Sequence, residues 1–215
     1  MPRAMQTPST IQPLLPQGAS WHSGFFGSAE QSALLLQLRD ILTAAPLYVP
    51  TMPATGRPMS VRMTNCGSLG WVTDKDGGYR YQPTHPVTGR PWPPIPDVLL
   101  NLWRSLTHYP APPEACLVNY YAPAARMGSH RDADERDTSA PVVSVSLGDD
   151  AVFHVGGVRR SDPKVRLVLR SGDVFVLGGP SRLAYHGIDR IFPGTSDLLA
   201  EGGRINLTLR RVGMA

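Results

Sequence analysis

His130 and Asp132 lie two residues apart in the segment SHRDADERD. On extended chain that spacing turns both side chains the same way, so an imidazole and a carboxylate can reach one ion. His186, far along the chain, is placed to bring a second imidazole from a distant strand. Two imidazoles and one carboxylate on one face of an octahedral ion leave three positions open. That is the donor set of non-haem Fe(II) oxygenases, where a co-substrate and dioxygen must both reach the metal. His-x-Asp by itself is a weak signal in a chain with six histidines, and a solvated charged loop would explain the same run. His22, His85, His108 and His154 have no such company and read as structural or exposed.

A second pattern raises the odds. RINLTLR puts Arg204, Asn206, Thr208 and Arg210 on one face of a strand and Ile205, Leu207 and Leu209 on the other. An ordinary half-exposed strand would look similar. Next to a metal triad inside a barrel, however, two guanidiniums need anionic compensation. A dicarboxylate supplies it, because the planar fork of arginine holds carboxylates bidentately. Triad and strand together describe a site that chelates a 2-oxo acid on iron.

These residues need elements to hold them. From residue 115 the apolar period is 2, in the runs CLVNYYA, PVVSVSLG, AVFHVGG, VRLVLR, DVFVLGG and RINLTLR. Ser171-Gly172-Asp173 reads as a turn between two of them. Six strands crowded into that length leave no room for crossover helices, so the pairing is antiparallel and a sandwich or jelly roll is expected. Upstream, Ser28 with Gln31 reads as a capping box. It precedes a helix whose Leu34, Leu35, Leu38, Ile41 and Leu42 share one face. A second helix follows Pro94–Pro96, with Ile95, Val98, Leu99, Leu102, Trp103 and Leu106 on its stripe. Residues 1–20 are rich in Pro, Ser and Gln and read as a loose arm docked by Leu14 and Leu15. The segment GSLGWVTDKDGGYRYQP reads as irregular and glycine-rich.

Composition sets the outer limits. The chain has 215 residues, enough for one domain with a real core, and 22 prolines and 21 glycines fit many short elements. A formal charge of +4 and a pI near 9.3 suit a polyanionic partner without requiring one. Two cysteines are too few for a disulfide framework and fit a reducing compartment. No signal-peptide core and no membrane-length apolar run is present, so a cytoplasmic protein with no membrane partner is expected.

The sequence resembles the AlkB family of nucleic-acid dealkylating dioxygenases, in particular its bacterial members. MTNCGSLGW (63–71), NYYAP (119–123), SHRDADE (129–135), PVVSVSLG (141–148), RLAYHGI (182–188) and RINLTLR (204–210) carry the resemblance, in order, from about residue 59 to the end. It implies a double-stranded β-helix (jelly-roll) core in a mainly β fold with flanking helices. The implied organisation is an arm at 1–20 and one dioxygenase domain at 21–215. Within that domain, 21–114 would form helices and a nucleotide-recognition lid, and 115–215 the catalytic core. It implies Fe(II) held by His130, Asp132 and His186, and 2-oxoglutarate held by Arg204, Arg210, Asn119, Tyr121 and Asn206. It places Trp71, Tyr79, Tyr81, Asp134 and Arg160 at the substrate, with Trp71 opposite His130 across a flipped base. The implied partner is alkylated DNA, single-stranded by preference, with RNA as a second polymer and O2 as oxidant. The implied products are succinate, CO2, formaldehyde and the restored base, from a monomeric repair enzyme. Two departures stand out: Leu177 where bacterial members carry tryptophan, and Arg57 in place of a lid aromatic. Three rivals remain at this point. One is a 2-oxoglutarate dioxygenase acting on a small molecule or protein side chain. The second is a cupin-like metal-binding module without oxidative activity, and the third a nucleic-acid-binding module that has lost catalysis.

Overall fold

Short apolar-alternating runs separated by Gly, Pro and Asp can satisfy their backbone groups only by pairing with one another. In the computed structural model, which describes residues 14–213, they do so in two facing sheets. In chain order the elements are β1 (Ala19–His22), α1 (Ser28–Ala44), β2 (Arg62–Gly67), β3 (Gly70–Asp74), β4 (Gly78–Gln82) and α2 (Asp97–Thr107). They continue with β5 (Ala115–Tyr121), β6 (Met127–His130), β7 (Val142–Gly148), β8 (Asp150–Val155), β9 (Val165–Leu169), β10 (Val174–Leu177), β11 (His186–Phe192) and β12 (Arg204–Arg210). The major sheet runs β1-β10-β7-β12-β5-β2 and the minor sheet β6-β11-β8-β9, each antiparallel throughout. This is the expected jelly-roll arrangement of a mainly β chain with flanking helices.

Two apolar layers hold it. On the outer face of the major sheet, Leu34, Leu38 and Ile41 of α1 and Leu99, Leu102 and Trp103 of α2 pack on Val118, Val145, Leu207 and Leu209. Between the sheets, Leu117, Val142, Phe175 and Leu177 meet Phe153, Leu167, Leu169 and Ile188. Trp103, fully buried, satisfies its indole N–H with the Ala111 carbonyl at 3.0 Å. Burial of this kind contributes about 1.5–3 kcal/mol per large apolar side chain. Loss of Trp103 to alanine would remove several such contacts at once. The turn at Ser171-Gly172-Asp173 forms as read: Asp173 N–H donates to Arg170 O at 3.1 Å, and Gly172 takes φ +88°.

Several local expectations are corrected. The cap of α1 is Gly27, whose N–H donates to Glu30 Oε2 at 2.8 Å; Gln31 instead ties α1 to the sheet through Phe26 O and Ser171 Oγ. The GSLGWVTDKDGGYRYQP segment is a regular hairpin, β3 with β4, in which Trp71 faces Tyr81 and Thr73 faces Tyr79. The barrel does not begin at residue 115, because β1 and β2 complete both edges of the major sheet. Residues 1–13 of the expected arm lie outside the described residues. Of its remainder, Leu15 packs against the inter-sheet core, Leu14 is exposed, and Ala19 and Ser20 are already in β1. Among the described residues, no helix is long and apolar enough to cross a membrane.

Candidate active site

The open end between the sheets holds a cavity of about 620 Å³, in the size range of small-molecule sites. His130 closes β6 and His186 opens β11; the two are direct register partners, which brings the imidazoles together with ring centroids 4.6 Å apart. Asp132 follows β6 by two residues. The nearest Asp132 oxygens lie 3.9 Å from His130 Nε2 and 3.7 Å from His186 Nε2, and the ligand atoms all fall within 4.8 Å of one another. Each histidine pairs Nδ1 with the carbonyl two residues before it, Gly128 O at 3.0 Å and Ala184 O at 2.9 Å. A carbonyl accepts, so Nδ1 carries the proton and the Nε2 lone pair faces the gap. Asp132 Oδ2 is buried without a hydrogen-bond partner. These donors fit a divalent transition metal.

Charge states favour the same role. Burial pushes the Asp132 carboxyl up; the Arg210 guanidinium, then His186, His130 and Arg182, override it and hold the carboxyl at about 2. Burial holds His186 down at about 4, so its imidazole is neutral at pH 7. Gly187, beside this ligand, admits no side chain: a Cβ would sit 2.6 Å from Met127 O.

β12 lines the wall opposite the triad as its alternation predicts: Arg204, Asn206, Thr208 and Arg210 border the cavity, while Ile205, Leu207 and Leu209 face the helices. The two arginines differ. Arg204 is fully buried, donates to Ser146 Oγ at 2.5 Å and to Asp149 O at 3.3 Å, and pairs with no carboxylate among the described residues. Burial brings its pKa down to about 10, still charged at neutrality, and its Nε has no partner. Arg210 donates to Asp132 Oδ1 at 2.7 Å, to Glu135 Oε1 at 3.3 Å and to the Tyr81 hydroxyl at 3.2 Å. Its Nε alone is left over.

The other expected residues divide. Asn119 and Tyr121 project from β5 into the cavity, Asn119 with an unpartnered buried Oδ1. Burial raises the Tyr121 phenol to about 12 and keeps it a hydrogen-bond donor. Asn206 lines the wall, but its amide is engaged by Ser144, Val145 and Thr208. Trp71 and Tyr79 stack at 5.5 Å on the rim, and the Trp71 indole N–H donates to Asp134 Oδ2 at 2.7 Å. Arg160 and Arg131 also border the cavity, each with its guanidinium 5.8–5.9 Å from the Tyr185 ring. Tyr81 is not on the cavity wall; its hydroxyl donates to Glu135. Leu177 forms part of the apolar wall, whereas Arg57 is exposed away from it. The sequence reading missed Glu135 and Arg182, a buried ion pair at 3.0 Å. Glu135 was hidden inside a charged run, and nothing in the linear pattern links it to Arg182.

The whole barrel, residues 18–210, matches the family model described as the 2OG-Fe(II) oxygenase superfamily. An alpha-ketoglutarate-dependent dioxygenase AlkB homolog of Caulobacter vibrioides is 59% identical over 162 residues, 75% of this chain and 73% of that protein. The alpha-ketoglutarate-dependent dioxygenase AlkB of Escherichia coli is 46% identical over 192 residues, 87% of each chain. The solved structure of OsALKBH1 superposes with a TM-score of 0.77 at 30% identity, covering 93% of this chain and all of that one. A triad with open lone pairs, a buried cation hydrogen-bonded to neutral oxygens and these likenesses agree: the chain belongs to the 2-oxoglutarate- and Fe(II)-dependent dioxygenases, among the AlkB proteins.

Proposed function

We propose that this chain oxidatively removes alkyl groups from N-alkylated nucleic-acid bases, 1-methyladenine and 3-methylcytosine foremost. DNA is the first polymer and RNA the second. The observation that carries the reading is Arg204: a fully buried guanidinium without a carboxylate, on the wall of the cavity that holds the triad. Asp173 and Asp150 compensate it only from a distance, burial still lowers its pKa to about 10, and a dicarboxylate co-substrate bonded to it directly would relieve that cost.

Fe(II), bound by His130, Asp132 and His186, would supply the centre at which 2-oxoglutarate and O2 react. The chain's own residues do the rest. Asp132 is ionised and His186 neutral at pH 7, so both can ligate without first losing a proton. Arg204 would fix the far carboxylate, and Arg210 Nε with the Tyr121 hydroxyl and Asn119 the near end. Leu117, Phe153 and Leu177 keep that end apolar and limit water. At the rim, Trp71 would stack on the target base, worth about 1–3 kcal/mol, while Asp134 accepts from its exocyclic amino group. Methylation at N1 of adenine or N3 of cytosine leaves the base cationic, so a carboxylate partner favours those lesions by a charge-assisted contact. Arg131, Arg160 and Arg126 border the same mouth and suit phosphates. The damaged edge is buried in a duplex, so single-stranded substrate is preferred. The directly opposed but unlinked Cys66 and Cys116 support a reducing, cytoplasmic setting, and a monomer is sufficient for the site.

Succinate release, measured with Fe(II) and 2-oxoglutarate with and without a 3-methylcytosine oligonucleotide, tests the reading. Oligonucleotide-stimulated release with loss of the methyl group is expected. Release indifferent to the oligonucleotide would point to a small-molecule or protein substrate, and none under any condition to a metal-binding module.

A further inference from the structure

The β3–β4 hairpin presents Trp71 and Tyr79 to the cavity mouth, yet its third aromatic turns inward. The Tyr81 hydroxyl donates to Glu135 and accepts from Arg210 Nη1 at 3.2 Å. Glu135 is held from its other side by Arg182 Nη2 at 3.0 Å, and Arg182 Nη1 donates to the Asp132 carbonyl at 2.7 Å. Arg210 Nη2 completes the circuit on Asp132 Oδ1 at 2.7 Å. Glu135, Arg182, Arg210 and Asp132 are all buried, so each group depends on its neighbours for compensation. One hydroxyl therefore joins the hairpin that carries the rim aromatics to the arginine and carboxylate at the metal site. A second tie, from the Trp71 indole to Asp134 Oδ2 at 2.7 Å, reaches the same loop but neither Arg210 nor the Asp132 carboxylate; Asn65, which brackets the Trp71 backbone at 3.0 and 3.1 Å, and Thr73, which donates to Thr51 O at 3.1 Å, lead elsewhere.

We propose that Tyr81 is a positioning residue that couples the hairpin to the Arg210–Asp132 pair, so that nucleic acid at Trp71 and 2-oxoglutarate at Arg210 each tighten the binding of the other. The inference rests on the function proposed above. Any movement of β4 on closing over a base shifts the hydroxyl, and with it the direction in which Glu135 and Arg210 are held. Reciprocity follows from linkage: whatever factor the oligonucleotide applies to 2-oxoglutarate affinity, 2-oxoglutarate applies to oligonucleotide affinity.

The test is a binding cycle on wild type and Tyr81→Phe, which keeps the ring and removes the hydroxyl. The full chain is loaded with Mn(II) in place of iron, so that nothing turns over. 2-Oxoglutarate is titrated calorimetrically with and without a saturating 3-methylcytosine oligonucleotide. In wild type the oligonucleotide is expected to lower the 2-oxoglutarate Kd by about fivefold or more, the lower end of ordinary coupling. In Tyr81→Phe that ratio should fall most of the way to 1, the Trp71–Asp134 bond being the tie that remains, while each ligand still binds alone. Hydrogen exchange offers an independent reading: amides of residues 70–82 should slow on 2-oxoglutarate binding in wild type and not in the variant. A variant that keeps the wild-type ratio, or a wild type whose ratio is already 1, overturns the coupling. So does a variant that loses 2-oxoglutarate binding in the absence of oligonucleotide, since Tyr81 would then be a static brace. Failure of wild type to bind the methylated oligonucleotide at all would instead strike the proposed function.

Discussion

The two ends of β12 carry the same residue on the same face of the same strand, and they solve opposite electrostatic problems. Arg210 is surrounded by anions and phenol, with Asp132, Glu135 and Tyr81 all in contact. Arg204, six residues earlier, sits fully buried among neutral acceptors. One guanidinium is satisfied by the fold and helps hold Asp132 ionised; the other donates to neutral oxygens alone, with Asp173 and Asp150 acting on it from a distance. A strand pattern can announce two inward arginines, but their roles are decided by which carboxylates the neighbouring loops deliver.

Substitutions at the triad should have the largest effect and also separate its members. His130→Ala should abolish oligonucleotide-dependent succinate release with little change in melting temperature, because His130 is half-exposed and its one close hydrogen bond is to a backbone carbonyl. Asp132→Ala should abolish release and also destabilise the fold, since it strips Arg210 of its closest anion. Equal melting temperatures for the two variants would break the contrast. Next comes Arg210→Ala, which leaves Asp132 and Glu135 as buried carboxylates short of a partner. A loss of about 3–5 kcal/mol in denaturant unfolding is expected, alongside lost activity. Arg204→Ala removes a cation that no carboxylate hydrogen-bonds among the described residues, Asp173 and Asp150 acting on it only from a distance, so unfolding free energy should change far less. Its effect should appear as a raised KM for 2-oxoglutarate, equivalent to about 2–5 kcal/mol; unchanged co-substrate affinity would refute the assignment of that end of the strand.

Much of this was readable in the linear chain. The alternation in RINLTLR places Arg204 and Arg210 inward because a pleated strand permits nothing else, and the stripes of α1 and α2 follow from 3.6-residue periodicity in the same way. What was not legible is instructive. Beyond residue 115, the strands absent from the pattern reading are β6 (MGSH) and β11 (HGIDRIF), the two that carry the histidines of the triad. Their residues were chosen by the site, with glycine at 187 where no Cβ fits, so β-propensity and alternation are both weak there. The hairpin at 70–82 was likewise mistaken for irregular chain because its glycines and charges outweigh its short apolar runs. Tyr81 was read as a substrate contact from its company with Trp71 and Tyr79; which ring meets Glu135 depends on a loop more than fifty residues away.

The smallest expected effect concerns lesion choice and the rim rather than the strand. Asp134→Asn keeps the shape, loses the charge, and can still accept from the Trp71 indole. The ratio of kcat/KM for 3-methylcytosine over 3-methylthymine in one oligonucleotide should shrink. If both rates drop with the ratio unmoved, Asp134 serves only to hold Trp71 through the 2.7 Å bond seen here.

The histidine orientations have a consequence for how this centre can drift over generations. Each imidazole is aimed by the carbonyl two residues before it, at Gly128 and Ala184. A carbonyl is present whatever side chain the genetic code writes at that position, so neighbouring substitutions cannot delete the bond that fixes either ring. Asp132 has no such insurance: its carboxylate is aimed by Arg210, which with His186, His130 and Arg182 also keeps it ionised, and single base changes can remove any of these side chains. Inactivating variation outside the triad itself should therefore gather around the carboxylate and at Gly187, where a Cβ would strike Met127 O, and spare Gly128, where a Cβ meets nothing within 4 Å.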